Sequence, residues 1–365
     1  MSARPSVTQK QKNALDREIE LGHHIPNVLI NRMARLQRVQ HRDELKRFAS
    51  LYKKSKFSNL ADEYNLVKDS ISNLLNQFFP FSLSQTIERE MRASLAGQIL
   101  DDRVRETFIH PFQVFVVGSV IIDQFYEHFK RWYGKTLCVT TESCIEASWL
   151  LAAIFHDGAK TRKIFKKELE HDIGKLANKI PQEDDYIHLL SSFYNHRSGG
   201  RSPRTWNHQI AGDPALESIL RDYSERWNHG VKGAVLMLKK LCNDPANTTP
   251  RDAIAGFAIA VHDKEIWEAM RAGGFLPLRM DQFPLACLLL QLDASQEWGR
   301  HQIVDTDTRL VDILIQGQSV TIEIAFDSLK ALQDKDAECN QALGCVDSRH
   351  LDISLDLLIK KRLTG

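Results

Sequence analysis

Six side chains of this sequence bring chemistry into surroundings that do not call for it. His156 and Asp157 end the run Trp149-Leu-Leu-Ala-Ala-Ile-Phe and are followed at once by Gly158. His110 heads Pro111-Phe112, and His229 opens Gly230-Val231-Lys232-Gly233-Ala234. His262 closes Asp252-Ala-Ile-Ala-Gly-Phe-Ala-Ile-Ala-Val, and Asp293 ends Pro284-Leu-Ala-Cys-Leu-Leu-Leu-Gln-Leu. A carboxylate carried into an apolar interior costs several kcal/mol unless it is paired or ligates a metal. A hydrogen-bonded cap at a helix end explains one isolated His-Asp pair. Five segments that each deliver imidazole or carboxylate to apolar surroundings are instead what a helical metal site requires. The mixed donor set suits divalent Mn, Fe, Co, Ni or Zn better than Ca. A second pair, His171-Asp172-Ile173-Gly174-Lys175, follows the charged run Lys166-Lys167-Glu168-Leu169-Glu170 and reads as exposed, so the metal-binding pair is placed at His156-Asp157.

The elements that must position these residues read mostly as helices. Residues 62–81 form one, stopped at Pro80, and residues 82–99 another, with Ser84 as N-cap. Pro111 suits a first helical turn, which puts His110 at the N-cap or just before it and Phe115, Ser119, Ile122, Tyr126 and Phe129 along one side. Thr140-Thr141-Glu142 opens the helix that leads to His156. Helices starting at His229 and ending at His262 place both histidines at termini, where side chains can converge. Ala286, Leu289 and Asp293 share one face by helical spacing, so the carboxylate points inward. Asn195 to Arg204 reads as a flexible loop. Its Arg197, Arg201 and Arg204 either close over an anionic substrate or lie on a solvated surface.

After Arg300 the period changes. Residues 308–315 and 318–326 alternate as a β-hairpin, 327–343 read as a helix and 351–359 as a third strand. The expected architecture is mainly α: an N-terminal helical basic arm (1–80), a helical bundle carrying the six residues (81–301), and a small C-terminal α+β appendage (302–365).

Composition narrows the function classes. The 365 residues are 43% hydrophobic and 26% charged with a formal net charge of +1, an ordinary globular balance that gives no argument for nucleic acid or membrane. Locally, residues 1–60 hold thirteen Lys/Arg against five Asp/Glu, 13 − 5 = +8. Such a segment suits contact with a partner or a phosphate backbone, or is a solvated face over the core stripe Val28, Leu29, Met33, Leu36 and Val39. The six cysteines show no CxxC spacing and read as reduced thiols of a cytoplasmic protein. The N-terminus lacks an apolar signal region, and Phe112 to Ile122, the most apolar window, is too short to span a membrane. A homo-oligomer is neither required nor opposed by the sequence.

The ordered set His110, His156-Asp157, His229, His262 and Asp293 resembles the HD-domain superfamily of metal-dependent phosphohydrolases, whose pattern is H…HD…H…H…D on a helical bundle. The resemblance covers roughly residues 108–300. His229-Gly-Val-Lys-Gly-Ala and Asp293-x-x-Gln296-Glu297-Trp298-Gly299-Arg300 are similar to a bacterial branch of it. The resemblance implies two divalent metals. His110, His156, Asp157 and Asp293 would hold one, with Asp157 bridging to a second held by His229 and His262. A metal-activated water would then cleave a phosphoester of a nucleotide, cyclic nucleotide or nucleic acid, with Asp157 catalytic and Lys160 touching a substrate phosphate. The common HD-Ile-Gly-Lys is here His156-Asp157-Gly158-Ala159-Lys160, and no Gly-Tyr-Pro follows the later histidines, which argues against the cyclic-di-GMP branch. Asp263, next to His262, would ligate in its place or face solvent. A non-catalytic metal- or nucleotide-binding interaction protein on the same fold is the competing expectation.

Overall fold

The computed structural model describes residues 25–55, 60–80, 85, 109–133, 141–157, 159, 182–202, 205–295, 308–316, 319–326, 329–347 and 357–363. The helices expected at 82–99, the second His-Asp pair at 171–172, Lys160, Arg204 and the Gln296–Arg300 motif lie outside these residues. Thirteen α-helices are described: α1 Asn27–Met33, α2 Arg42–Lys54, α3 Leu60–Phe78, α4 Ile109–Gln124, α5 Tyr126–Trp132, α6 Thr141–Phe155, α7 Glu183–Ser198, α8 Pro214–Glu225, α9 His229–Leu241, α10 Pro250–Val261, α11 Lys264–Ala272, α12 Pro284–Ser295 and α13 Leu329–Leu343. Strands are few and short: β1 Leu278–Arg279, β2 Thr308–Gln316, β3 Ser319–Phe326, β4 Val346–Asp347 and β5 Leu357–Leu363. The chain is mainly α with a small α+β part.

Four helices form the interior. α4 is buried at every residue from Ile109 to Ile122, α10 from Asp252 to Val261 and α12 from Pro284 to Leu292. α6 is buried from Ile145 to Ile154. A helix apolar all round must be covered all round, and these four cover one another, with α6 against α4, α10 and α12. The closeness depends on two glycines. A Cβ at Gly118 of α4 would strike the ring of Trp149 of α6, whose Nε1 donates to the Phe115 carbonyl at 3.0 Å. A Cβ at Gly230 would stand 2.9 Å from the Ile259 carbonyl, so α9 can lie on α10 and bring His229 beside His262.

Caps fix where the site-bearing helices begin. Asn228 caps α9 by accepting from Val231 N, and Thr249 and Asp252 cap α10 reciprocally with Pro250 in its first turn. Asp263 caps α11 by accepting from Glu265 N. Because α10 ends at Val261 and α11 starts at Lys264, His262 and Asp263 sit at a corner between two helices.

The segment expected as a basic arm is, in its described part, built into the core. Leu29, Leu45, Phe48, Ile71 and Leu75 belong to the same continuous apolar cluster as Phe115, Trp149, Leu289, Ile313 and Ile322. The helix expected to carry the stripe from Val28 to Val39 stops at Met33. Asp123 is the reason, because its carboxylate accepts from the N–H groups of Gln37, Arg38 and Val39 and so holds that stretch out of helix while Leu36 and Val39 still bury their side chains.

The hairpin forms as expected, β2 antiparallel to β3 from Thr308↔Phe326 to Gln316↔Ser319. Of the third strand expected at 351–359, residues 351–356 lie outside the described residues and 357–359 are strand. The strand is described over Leu357–Leu363 and runs parallel to β3, with α13 as the crossover. β4 pairs in parallel with β1, which ties the appendage to the bundle just before α12. No helix among the described residues is long and apolar enough to cross a membrane.

Candidate metal centre

The six side chains singled out above come from α4, α9, α12 and the ends of α6 and α10, and they meet. His110 Nε2 lies 3.1 Å from His156 Nε2 and 3.0 Å from Asp293 Oδ1, and His156 Nε2 lies 3.3 Å from the same oxygen. Three donors about 2.1 Å from one cation and roughly at right angles would stand about 3 Å apart, so this near-equilateral triangle has the edge length of a coordination shell. Asp157 joins it more loosely, its oxygens 3.9 Å from His110 Nε2 and 3.7 Å from His156 Nε2. Asp157 Oδ1 also faces His229 Nε2 at 3.7 Å and His262 Nε2 at 4.0 Å. His110, His156 and Asp157 make one group whose ligand atoms all lie within 4.8 Å of one another, and Asp157, His229 and His262 make another. Asp157 belongs to both.

The outer nitrogens decide what the inner ones offer. His156 Nδ1 lies 2.7 Å from the Ala153 carbonyl and His262 Nδ1 2.6 Å from the Ile259 carbonyl, each three residues back on its own helix. His229 Nδ1 lies 2.8 Å from Asp263 Oδ2. A carbonyl or carboxylate can only accept, so each Nδ1 carries a proton, and Nε2, turned inward, is the nitrogen left to offer a metal its lone pair. Three imidazole lone pairs and two carboxylates therefore aim at one buried volume. His262 Nε2 is fully buried and has no hydrogen-bond partner. Burial, reinforced by the neighbouring His229, pushes His262 down to about 4 and keeps it neutral. A divalent cation answers this donor set, and the residues present fit one.

Asp263, expected either to ligate or to face solvent, is turned inward with its carboxylate engaged by three donors. It accepts from His229 Nδ1, from Asn228 Nδ2 at 2.8 Å and from Glu265 N at 2.9 Å. Burial raises its carboxyl, but the hydrogen bond and charge of His229 and the Glu265 N–H outweigh that and hold it well below the usual carboxylate range. Its role is to orient His229. The signal was in the sequence, a carboxylate directly after a helix-terminal histidine and two residues before Glu265, which is an N-cap position.

The arginines divide. Asn195–Ser198 is the last turn of α7 rather than loop. Arg197 is buried, and its guanidinium donates to the carbonyls of Gln282 (2.7 and 2.9 Å), Arg201 (2.8 Å), Asp281 (3.3 Å) and Trp132 (3.4 Å). That set occupies the fork, so Arg197 ties α7 to the start of α12 instead of reaching a substrate. Arg201 is exposed.

Beside the centre opens a pocket of about 210 Å³, lined by His229, His262, Asp263 and Asp293 together with Lys264, Trp267, Leu290, Ala294, Gln341, Ala342 and Cys345. Burial pushes the Cys345 thiol up to about 12. Cys242, Cys287 and Cys345 are buried free thiols, and Cys339 is buried as well.

Comparisons of the chain with protein-family models, with curated proteins and with solved structures found no match. The class stated here is therefore the one the molecule itself defines: a mainly helical protein with a buried His/Asp group able to hold metal.

Proposed function

We propose that this chain is a metal-dependent phosphohydrolase of the HD type, acting on phosphoesters of nucleotides, cyclic nucleotides or nucleic acid. One observation carries the reading: inward-facing imidazole lone pairs and two carboxylates converge on a single volume that opens into a pocket. In this reading His110, His156 and Asp293 hold one metal, His229 and His262 hold a second, and Asp157 bridges them. Divalent cations bound there supply a water of lowered pKa and neutralise phosphate oxygens. The chain's own part is to aim the imidazoles through their Nδ1 bonds and to fix Asp157 between the two groups. Lys160, three residues beyond Asp157, is proposed to touch a substrate phosphate.

The test is elemental analysis of untagged wild type beside Asp157→Ala, followed by turnover of a nucleotide and phosphodiester panel with the metal found. Transition metal at near one or two per chain in the wild type, lost together with turnover in the variant, is the expected result. A wild type that stays metal-free after incubation with Mn or Fe ends the proposal. Metal held at stoichiometry without turnover of any substrate leaves a metal-holding binding module instead.

A further inference from the structure

Part of the pocket beside the metal centre is built by chain that follows the bundle. Gln341 and Ala342, in the last turn of α13, and Cys345 just after it line the same pocket as Trp267 of α11 and Leu290 and Ala294 of α12. This wall is tied to both neighbouring helices. Gln341 Nε2 donates to Glu268 of α11, and Cys339 Sγ contacts the Ala294 carbonyl of α12 at 3.6 Å. Leu278 N donates to the Cys345 carbonyl at 2.9 Å and Met280 N to the Asp347 carbonyl at 3.2 Å, so the β1–β4 pair holds the chain just beyond α13 against the bundle. A wall locked to α12, which also carries Asp293, can set what fits with sub-ångström consequence.

Its chemistry differs from that of the metal end. Trp267, Leu290, Ala294 and Ala342 are apolar, and Cys345 is a buried thiol. The only ammonium lining the pocket among the described residues, Lys264, has a side chain 60% exposed and lies 3.8 Å from Glu268, which offsets its charge. With metal bound as proposed, the pocket would have one anion-attracting end and, opposite it among the described lining, surfaces suited to an uncharged group.

Resting on the phosphohydrolase reading, we propose that α13 is the specificity wall of the metal pocket, selecting phosphoesters whose non-phosphate half is compact, uncharged and aromatic or apolar. Among the described lining residues a second phosphate meets only Lys264 and Gln341, both already engaged with Glu268. The α+β part therefore contributes to substrate choice, and Ala342 sets the depth available.

The test compares inorganic phosphate with phenyl phosphate binding to the Mn-loaded full chain by titration calorimetry. Both present phosphate to the metal, and only the second needs the apolar lobe. Wild type should bind phenyl phosphate at least about tenfold more tightly, in the range a well-packed apolar increment gives. Ala342→Phe should abolish that preference with metal content and inorganic phosphate affinity unchanged, while Asn340→Phe, the same bulk on the exposed face of α13, should keep it. Ala342→Leu serves if the phenylalanine variant fails to fold. No preference in wild type, or a preference that survives both Ala342 variants, overturns the wall and leaves the phosphohydrolase reading standing. A wild type that holds neither Mn nor phosphate removes both.

Discussion

Two clusters of buried histidine and carboxylate share helix α6 and are built to opposite rules. Near its start, Glu146 meets His41 and Ser119. His41 Nδ1 lies 3.0 Å from Glu146 and its Nε2 3.0 Å from Ser119 Oγ, while both Glu146 oxygens accept from Gln40 N at 2.8 Å. Every contact there pairs a donor with an acceptor, and the cluster joins the N-terminal segment to α4 and α6. At the other end of α6, His156 Nε2 faces His110 Nε2 at 3.1 Å, and the fully buried His262 Nε2 has no hydrogen-bond partner. Residue types and burial are alike in the two clusters. Pairing separates them: a network closed upon itself is structural, and one whose acceptors converge calls for a cation.

That contrast can be broken in order of size. Glu146→Ala should have the largest effect on stability, about 3–5 kcal/mol in urea unfolding, because it takes the carboxylate partner from the fully buried His41. Metal content per folded chain should stay unchanged. Loss of metal from the folded variant would mean that the two clusters are one unit.

Next comes acid. His262 is pushed down to about 4 from its usual 6.5, so between those values the unfolded chain takes up a proton that the folded chain refuses. The stability of the metal-free protein should be fully present above pH 6.5. It should fall by about 3 kcal/mol as pH drops toward 4. Urea titrations at pH 7 and pH 5 measure it, and His262→Asn should flatten the slope. An equal slope in both proteins would sink the assignment to His262.

The smallest effect tests the outer shell. Asp263→Asn keeps an N-cap for α11 but offers His229 Nδ1 a weaker partner. Metal affinity should drop about 10- to 100-fold with thermal stability nearly preserved, as read by chelator competition beside a melting curve. Unchanged affinity would make Asp263 only a cap.

Much of the site was legible because each ligand breaks an apolar helical pattern at its end or on its inward face. His156-Asp157 after seven nearly apolar residues, and Asp293 after Leu292, are polar where the period demands apolar. Arg197 was misread for the opposite reason: beside Gly199-Gly200 it looks like loop, yet the chain stays helical through Ser198 and the guanidinium turns in toward carbonyls from α5, from residues 281–282 and from its own following turn. Nothing in residues 195–204 records those acceptors.

The sequence by itself determined that the chain is mostly helical, where the period switches to β after residue 300, and which six polar side chains needed a reason to be buried. These are properties of a residue and its near neighbours along the chain, set by local sterics and side-chain spacing. The tertiary structure alone decided that Asp157 stands between two groups of histidines, that Asp263 orients His229, that residues 25–80 share the core, and that α13 closes the pocket beside the metal centre. Each of these depends on contacts between atoms far apart in sequence, and periodicity specifies a buried face without specifying the neighbour that covers it.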